Sequence, residues 1–351
     1  MKAVMKTSPK SGIEVVEVPY PQLRPGWVIL KIHAVGICGS DLHTYHSTWK
    51  PFTDDWTRGG FRKHILGHEF SAEIAEVGEG VESFAIGDRV VANKIIPCGE
   101  CEHCKLGLPW CTNRVQTDGA MAEYLAMPAK SLFRIPNWVN YEAAALCEPL
   151  TVALYAVQDI SSLTAGQSAV ILGPGPIGLA TVIAVKLLTP RAIVVTGTTV
   201  DVNPRLETAK KLGADVIVNV DEEDPVRKVL DITKGLGADV VYEAAGVPLL
   251  RQGLAMLRYG GEYIAIGHPG SIKPEPIVFD SGDYYRLQSK RQKILAVYLE
   301  EMRNWQTATD LLWERKVDLQ PLVSHILPLS DAVKGFEIAA SKKALKVVLV
   351  P

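Results

Sequence analysis

Apolar and polar positions along the chain change rhythm once. In the first half, short apolar or alternating runs at 27–34, 70–77, 88–92 and 121–126 are separated by Gly, Pro and Asp, and they predict strands of a β-rich domain. From Ser168 the order becomes apolar strand, turn, amphipathic helix, repeated. It predicts strands at 168–172, 192–196, 215–220, 238–243 and 261–266, with helices at 177–188, 205–212, 225–233 and 248–258. Such alternation implies right-handed βαβ units and a parallel sheet covered on both faces. The join falls near 151–164; 293–298 predicts a last sheet strand, 305–315 a helix, and strand-and-turn patterning returns from 319. The expected fold class is therefore α/β with two domains, 1–152 joined by 299–351, and 153–298 between them.

Composition agrees with two ordinary domains. The chain's 351 residues exceed what one core usually serves, and 47% apolar with 22% charged residues supplies enough core material for folding. A net charge of −2 with dispersed Lys and Arg gives no reason to expect nucleic acid or an anionic membrane, so a small molecule is the expected partner. No apolar stretch reads as approaching the roughly 20 residues of a membrane span. Residues 1–20 alternate like a strand and carry no signal-peptide core, which predicts a cytoplasmic protein.

Between the first strand and first helix of the repeating half stands Gly173-Pro-Gly175-Pro176-Ile177-Gly178, a G-x-G-x-x-G turn. In that context Gly173 permits the tight turn, Gly175 lets the backbone approach a pyrophosphate, and Gly178 allows close helix–sheet packing. Ile266 and Gly267, ending a later strand of the series, are assigned to the same dinucleotide site.

Six cysteines are present, and four crowd into Cys98-x-x-Cys101-x-x-Cys104-x6-Cys111 among polar and loop-forming residues. Four thiolates close a tetrahedral zinc shell with no open position, so this lobe is expected to be structural. A second set is dispersed: Cys38 in Gly-Ile-Cys-Gly-Ser-Asp-Leu-His43, then Gly67-His68-Glu69, then Cys147-Glu148-Pro-Leu.

With these motifs and Lys210-Lys-Leu-Gly-Ala-Asp215, the chain resembles, end to end, the zinc-containing medium-chain dehydrogenases of the sorbitol and threonine dehydrogenase branch. The resemblance implies a chaperonin-like β-barrel catalytic domain formed by both chain ends, with a Rossmann domain inserted. It implies that Cys38 and His68 bind a catalytic zinc, that Glu69 and Glu148 supply carboxylate ligation directly or through water, and that Asp41 orients His68. Ser40 and His43 match the family's proton relay, and Cys147 is read as packing. Here the last two lobe cysteines are separated by six residues where the family pattern has seven. The aromatic segment between His43 and Gly67, with Tyr45, Trp49, Phe52, Trp56 and Phe61, either shapes a substrate pocket or packs under a subunit contact.

The implied activity is hydride transfer between a secondary alcohol, a polyol or sugar alcohol, and NAD(P), in a homo-tetramer or dimer. A threonine-type amino alcohol or a simple secondary alcohol is the nearer alternative. A non-catalytic dinucleotide-binding protein is the more distant one. For the cofactor, the acidic residue expected at the end of the second Rossmann strand is replaced by Gly197. That change, with Thr198, Thr199 and Arg205 as donors to a 2′-phosphate, leans the reading to NADP; Asp201 swinging back to the ribose leaves NAD open.

Overall fold

By its internal contacts the chain divides into two units, Met1–Thr151 with Leu299–Pro351, and Val152–Tyr298. The computed structural model describes residues 1–47, 63–108, 111, 113–246, 249–268 and 278–351. Trp49, Phe52, Trp56, Phe61, Pro109 and the start of the helix expected from 248 lie outside the described residues.

In the first unit β1 (Lys2–Lys6) pairs antiparallel with β2 (Glu14–Glu17) and β4 (His64–Ile65). The spine of the larger sheet is β3 (Trp27–Gly36) against β5 (Glu69–Val77), flanked by β6 (Arg89–Ala92), β7 (Tyr124–Pro128) and β8 (Leu132–Arg134). Phe70, Ile74, Met121, Met127 and Phe336 fill its core, none more than 1% exposed. Register matters most here. The antiparallel pairing runs from Val28 opposite Val77 to Gly36 opposite Glu69, so the residues following β3 emerge beside those preceding β5.

The second unit has six parallel strands: β9 (Ser168–Leu172), β10 (Ala192–Gly197), β11 (Val216–Asn219), β12 (Ala238–Glu243), β13 (Leu257–Ala265) and β14 (Lys293–Ala296). Their order, β11-β10-β9-β12-β13-β14, reverses direction between β9 and β12. That reversal point, at the carboxyl ends of the strands, is where open α/β sheets bind ligands. The helix expected at 248–258 is shorter, Leu250–Met256, because β13 begins at Leu257. The helix expected from 205 is regular only over Glu207–Leu212; Asn203, which precedes Pro204, is extended at φ −125° and ψ 123°, as pre-proline sterics favour.

The chain returns to the first unit with the helix Met302–Trp313, β15 (Val323–Pro328), the helix Ala332–Ala340 and β16 (Lys346–Val350). β16 pairs antiparallel with the end of β3, Val348 opposite Gly36. One expectation needs correcting. The helical run Tyr141–Ile160 is long and apolar enough to span a membrane, although 72% of that window is buried inside the protein, so its apolar side chains serve the protein's own core.

Candidate active site

Cys38 stands two residues past β3, at the N-terminus of the helix Gly39–His46. Asp41, 4% exposed, accepts from the Cys38 amide at 3.0 Å and from the Gly67 amide at 3.4 Å, so one carboxylate ties together the two loops that carry predicted ligands. Its Oδ1 lies 4.0 Å from His68 Nδ1. Burial lowers the His68 pKa, but the charges of Asp41, Glu148 and Glu69 outweigh it and hold the imidazole above its ordinary value. Asp41 itself is raised, burial prevailing over His68 and the two amides.

The register described above brings Cys38 Sγ, a His68 ring nitrogen and a Glu69 carboxylate oxygen within 4.8 Å of one another, a set one cation can gather. Glu69 also has another partner. Lys346 Nζ lies 2.7 Å from each Glu69 oxygen, as a hydrogen bond to Oε1 and a charge contact with Oε2, and it donates to the Ile37 carbonyl at 3.2 Å. Burial would lower the Lys346 pKa, but Glu69 and then Cys38 outweigh it and hold the ammonium above its ordinary value. Burial and then Glu69 push the Cys38 thiol up to about 12, a state that a coordinated cation reverses by binding the thiolate.

Glu148, near the start of the helix Cys147–Leu154, is not among the three atoms within 4.8 Å, yet it lies within electrostatic range of His68, Glu69 and Cys38. Burial, with Glu300 and Glu69, raises its pKa well above the usual carboxylate range. Cys38, His68 and Glu148 all keep partial exposure, so the cluster is open on one side. Ser40 and His43 sit on the same helix as Asp41, and the Ser40 side chain bonds the Cys38 sulfur. Cys147 is fully buried, its thiol pushed up to about 12 by burial, as packing requires. Sequence reasoning missed Lys346, Glu300 and Lys94, whose pKa burial brings down to about 8 near Asp41. No local motif marks any of them.

The four lobe thiols converge as expected. Sulfur separations are 3.5 Å for Cys101–Cys104, 3.6 Å for Cys98–Cys111, 3.8 Å for Cys101–Cys111 and 3.9 Å for Cys98–Cys104. Four thiolates about 2.3 Å from zinc lie about 3.8 Å apart, whereas a disulfide would need about 2.05 Å. The amides of Glu100 and Cys101 point at the Cys98 sulfur at 3.4 and 3.3 Å, which favours its thiolate.

In the second unit the glycine turn has the predicted form. Gly173 adopts φ 95° and a side chain there would meet Ala245 at 2.8 Å; Gly178 has no room because of the Gly173 carbonyl; Gly175 faces open space. The helix Pro176–Lys186 starts from Gly175. Ile266 and Gly267 follow β13, both amides donating to the Glu243 carbonyl, while Glu243 Oε1 receives the Ala245 and Gly246 amides at 2.7 and 2.8 Å. Glu243 thus braces two loops at the reversal point. At the end of β10, a side chain on Gly197 would meet Pro174 at 2.9 Å and Asp201 Cβ at 3.0 Å. Asp201 Oδ2 accepts from the Thr198 amide and hydroxyl at 3.0 and 2.8 Å, and the Thr199 amide donates to Asp221 at 2.7 Å.

Residues 24–137 match the family "Alcohol dehydrogenase GroES-like domain" and residues 176–314 match "Zinc-binding dehydrogenase". The chain is 35% identical to the L-threonine 3-dehydrogenase of Bacillus subtilis (strain 168), over 100% of this chain and 99% of that one. It is 35% identical to the sorbitol dehydrogenase of Halalkalibacterium halodurans over the same shares. Among solved structures, alcohol dehydrogenase TADH from Thermus sp. ATN1 superposes with a TM-score of 0.84 at 31% identity, covering 100% of this chain and 99% of that one. With a thiolate lobe, a Cys–His–carboxylate cluster and a dinucleotide turn in one chain, the protein belongs to the zinc-binding medium-chain dehydrogenases, related to their threonine and sorbitol dehydrogenase branch, and is a zinc-binding NAD(P)-dependent dehydrogenase.

Proposed function

We propose that the protein oxidises a secondary alcohol flanked by further polar groups, a polyol or sugar alcohol, with NAD as acceptor. The observation that carries this reading is the Cys38–His68–Glu69 cluster, open on one side, with the buried Asp41 carboxylate 4.0 Å from His68. Zinc, when bound, supplies Lewis-acid polarisation of the alcohol oxygen, and the nicotinamide accepts the hydride. Cys38 and His68 hold the metal in this reading, with Glu69, which Lys346 also contacts, and Glu148 supplying carboxylate ligation directly or through water. Asp41 orients His68 and fixes both ligand loops. Ser40 and His43 lead the hydroxyl proton away along their shared helix.

For the cofactor, the geometry favours NAD over the NADP lean drawn from Gly197. Thr198 and Arg205 are engaged by Asp201, and Thr199 by Asp221, so a 2′-phosphate would meet two carboxylates. A ribose 2′-hydroxyl would donate to one of them. For assembly, the edge strand β14 carries exposed Ile294, followed by exposed Tyr298, which supports a homo-oligomer joined at that edge. A panel of polyols, amino alcohols and simple secondary alcohols, read by absorbance of the reduced cofactor, tests the activity. Turnover confined to amino alcohols would move the protein to the threonine-type reading.

A further inference from the structure

Lys6, the last residue of β1, is 3% exposed, and among the described residues it forms no ion pair. Its Nζ lies instead among four neutral oxygens: the carbonyls of Lys10 at 2.7 Å, Gly12 at 3.1 Å and Tyr45 at 3.2 Å, and the Ser47 hydroxyl at 3.0 Å. An ammonium has three protons to donate, so none is left without an acceptor. Packing alone does not call for this arrangement, because an apolar side chain of similar volume would avoid desolvating a charge. What the charge does is fasten together segments that are far apart in the sequence.

Lys10 and Gly12 belong to the turn after β1, whereas Tyr45 and Ser47 are in the last turn and at the cap of the helix Gly39–His46. The final carbonyls of a helix lack partners within it, and a cation there also complements the helix dipole. The Gly12 amide adds a bond to the Tyr45 carbonyl at 2.8 Å, and the Tyr45 ring rests on Phe336 with centroids 5.4 Å apart. The helix is thus held at the end opposite Cys38. The same strand holds the other ligand loop. Val4, two residues before Lys6, accepts from the Leu66 amide at 3.1 Å, and Lys6 stands opposite His64 in the pairing with β4. Gly67 and His68 follow directly. We infer that Lys6 is a positioning residue of the metal site: by pinning the helix end to β1 it fixes Cys38 against His68, and so governs how long a cation is held between them. The inference rests on the reading of Cys38 and His68 as ligands and extends it to a residue outside the cluster.

The test follows release of zinc to a chelator from the zinc-loaded full-length protein and its variants, comparing the exchangeable ion with the ion of the cysteine lobe. Lys6→Met keeps the side chain's bulk without its charge and should release the exchangeable zinc about tenfold faster, while the lobe zinc leaves at its wild-type rate. In the same variant kcat should fall about tenfold, with KM for the cofactor changed less than about twofold. Lys6→Ala lacks the outer side chain that propylammonium replaces, so this ion should slow zinc release again, whereas the bulkier tetramethylammonium should not. Ser47→Ala removes one acceptor, leaves the buried charge in place and should speed release about threefold; it serves if neither Lys6 variant folds. Equal loosening of both zinc ions, or unchanged release in Lys6→Met, overturns the inference with the metal reading intact. A wild type that carries only the lobe zinc would overturn the metal reading and the inference with it.

Discussion

Asp201 and Arg205 face each other across one turn, Oδ1 to Nη1 at 3.2 Å, with both side chains 12% exposed. The pair sits where Gly197 leaves room beside the glycine turn. Asp201→Ala should therefore free Arg205 and Thr198, raise kcat/KM for NADP at least about tenfold and lower it for NAD, because a carboxylate that repels a phosphate is replaced by donors that bind one. Saturation kinetics with both cofactors measure the ratio. A wild-type preference for NADP would refute the reading.

The Lys346–Glu69 pair is almost fully buried, at 3% and 1% side-chain exposure. Lys346→Met should cost about 3–5 kcal/mol, because it strands a carboxylate in the core. Adding Glu69→Gln should return much of that loss. Denaturant midpoints of the two single variants and the double variant give the coupling.

Two kinds of zinc are expected from the two donor sets. Mild chelation should remove one zinc per chain and abolish activity while the second stays. Cys101→Ser should lower folding yield and the retained zinc, whereas Cys38→Ser should leave a folded, inactive protein holding one zinc. Metal analysis before and after chelation checks each; loss of both ions together would contradict it.

A pH effect follows from Asp239, which joins the start of β12 to the start of β9. Burial pushes its pKa up, but the Ser168 amide, Arg258 and the Ser168 hydroxyl more than offset this and hold it below the ordinary value. A depressed carboxylate pKa stabilises the fold above its unfolded pKa of about 3.9 and loses that contribution as the pH falls through the folded value. Asp239→Asn should thus melt below wild type at pH 7, and the gap should close below about pH 4. Melting curves across that range measure it; a gap that widens in acid would show the sign to be wrong.

What could be read beforehand divides by the range of the interaction involved. The thiol spacing, the glycine turn and the strand–helix alternation are local, and each recurs in the structure close to where periodicity put it. Helix ends drifted where a neighbour took the residue, as when β13 claimed Leu257, or where a cap was overlooked, as with Glu301 before Met302. Lys346 is an isolated charge whose meaning comes only from Glu69, far away in the chain. Asp201 was visible, but its direction depended on the turn that follows Gly197.

Because the first unit is assembled from both segments flanking an uninterrupted second unit, the order of manufacture is constrained. Glu69 is synthesised 277 residues before Lys346. At about 5–20 residues per second that interval is roughly a quarter of a minute to a minute, and the Val152–Tyr298 segment is complete before Lys346 is added. A nascent chain in that window holds Cys38, His68 and Glu69 without β16 or the cation that neutralises the carboxylate.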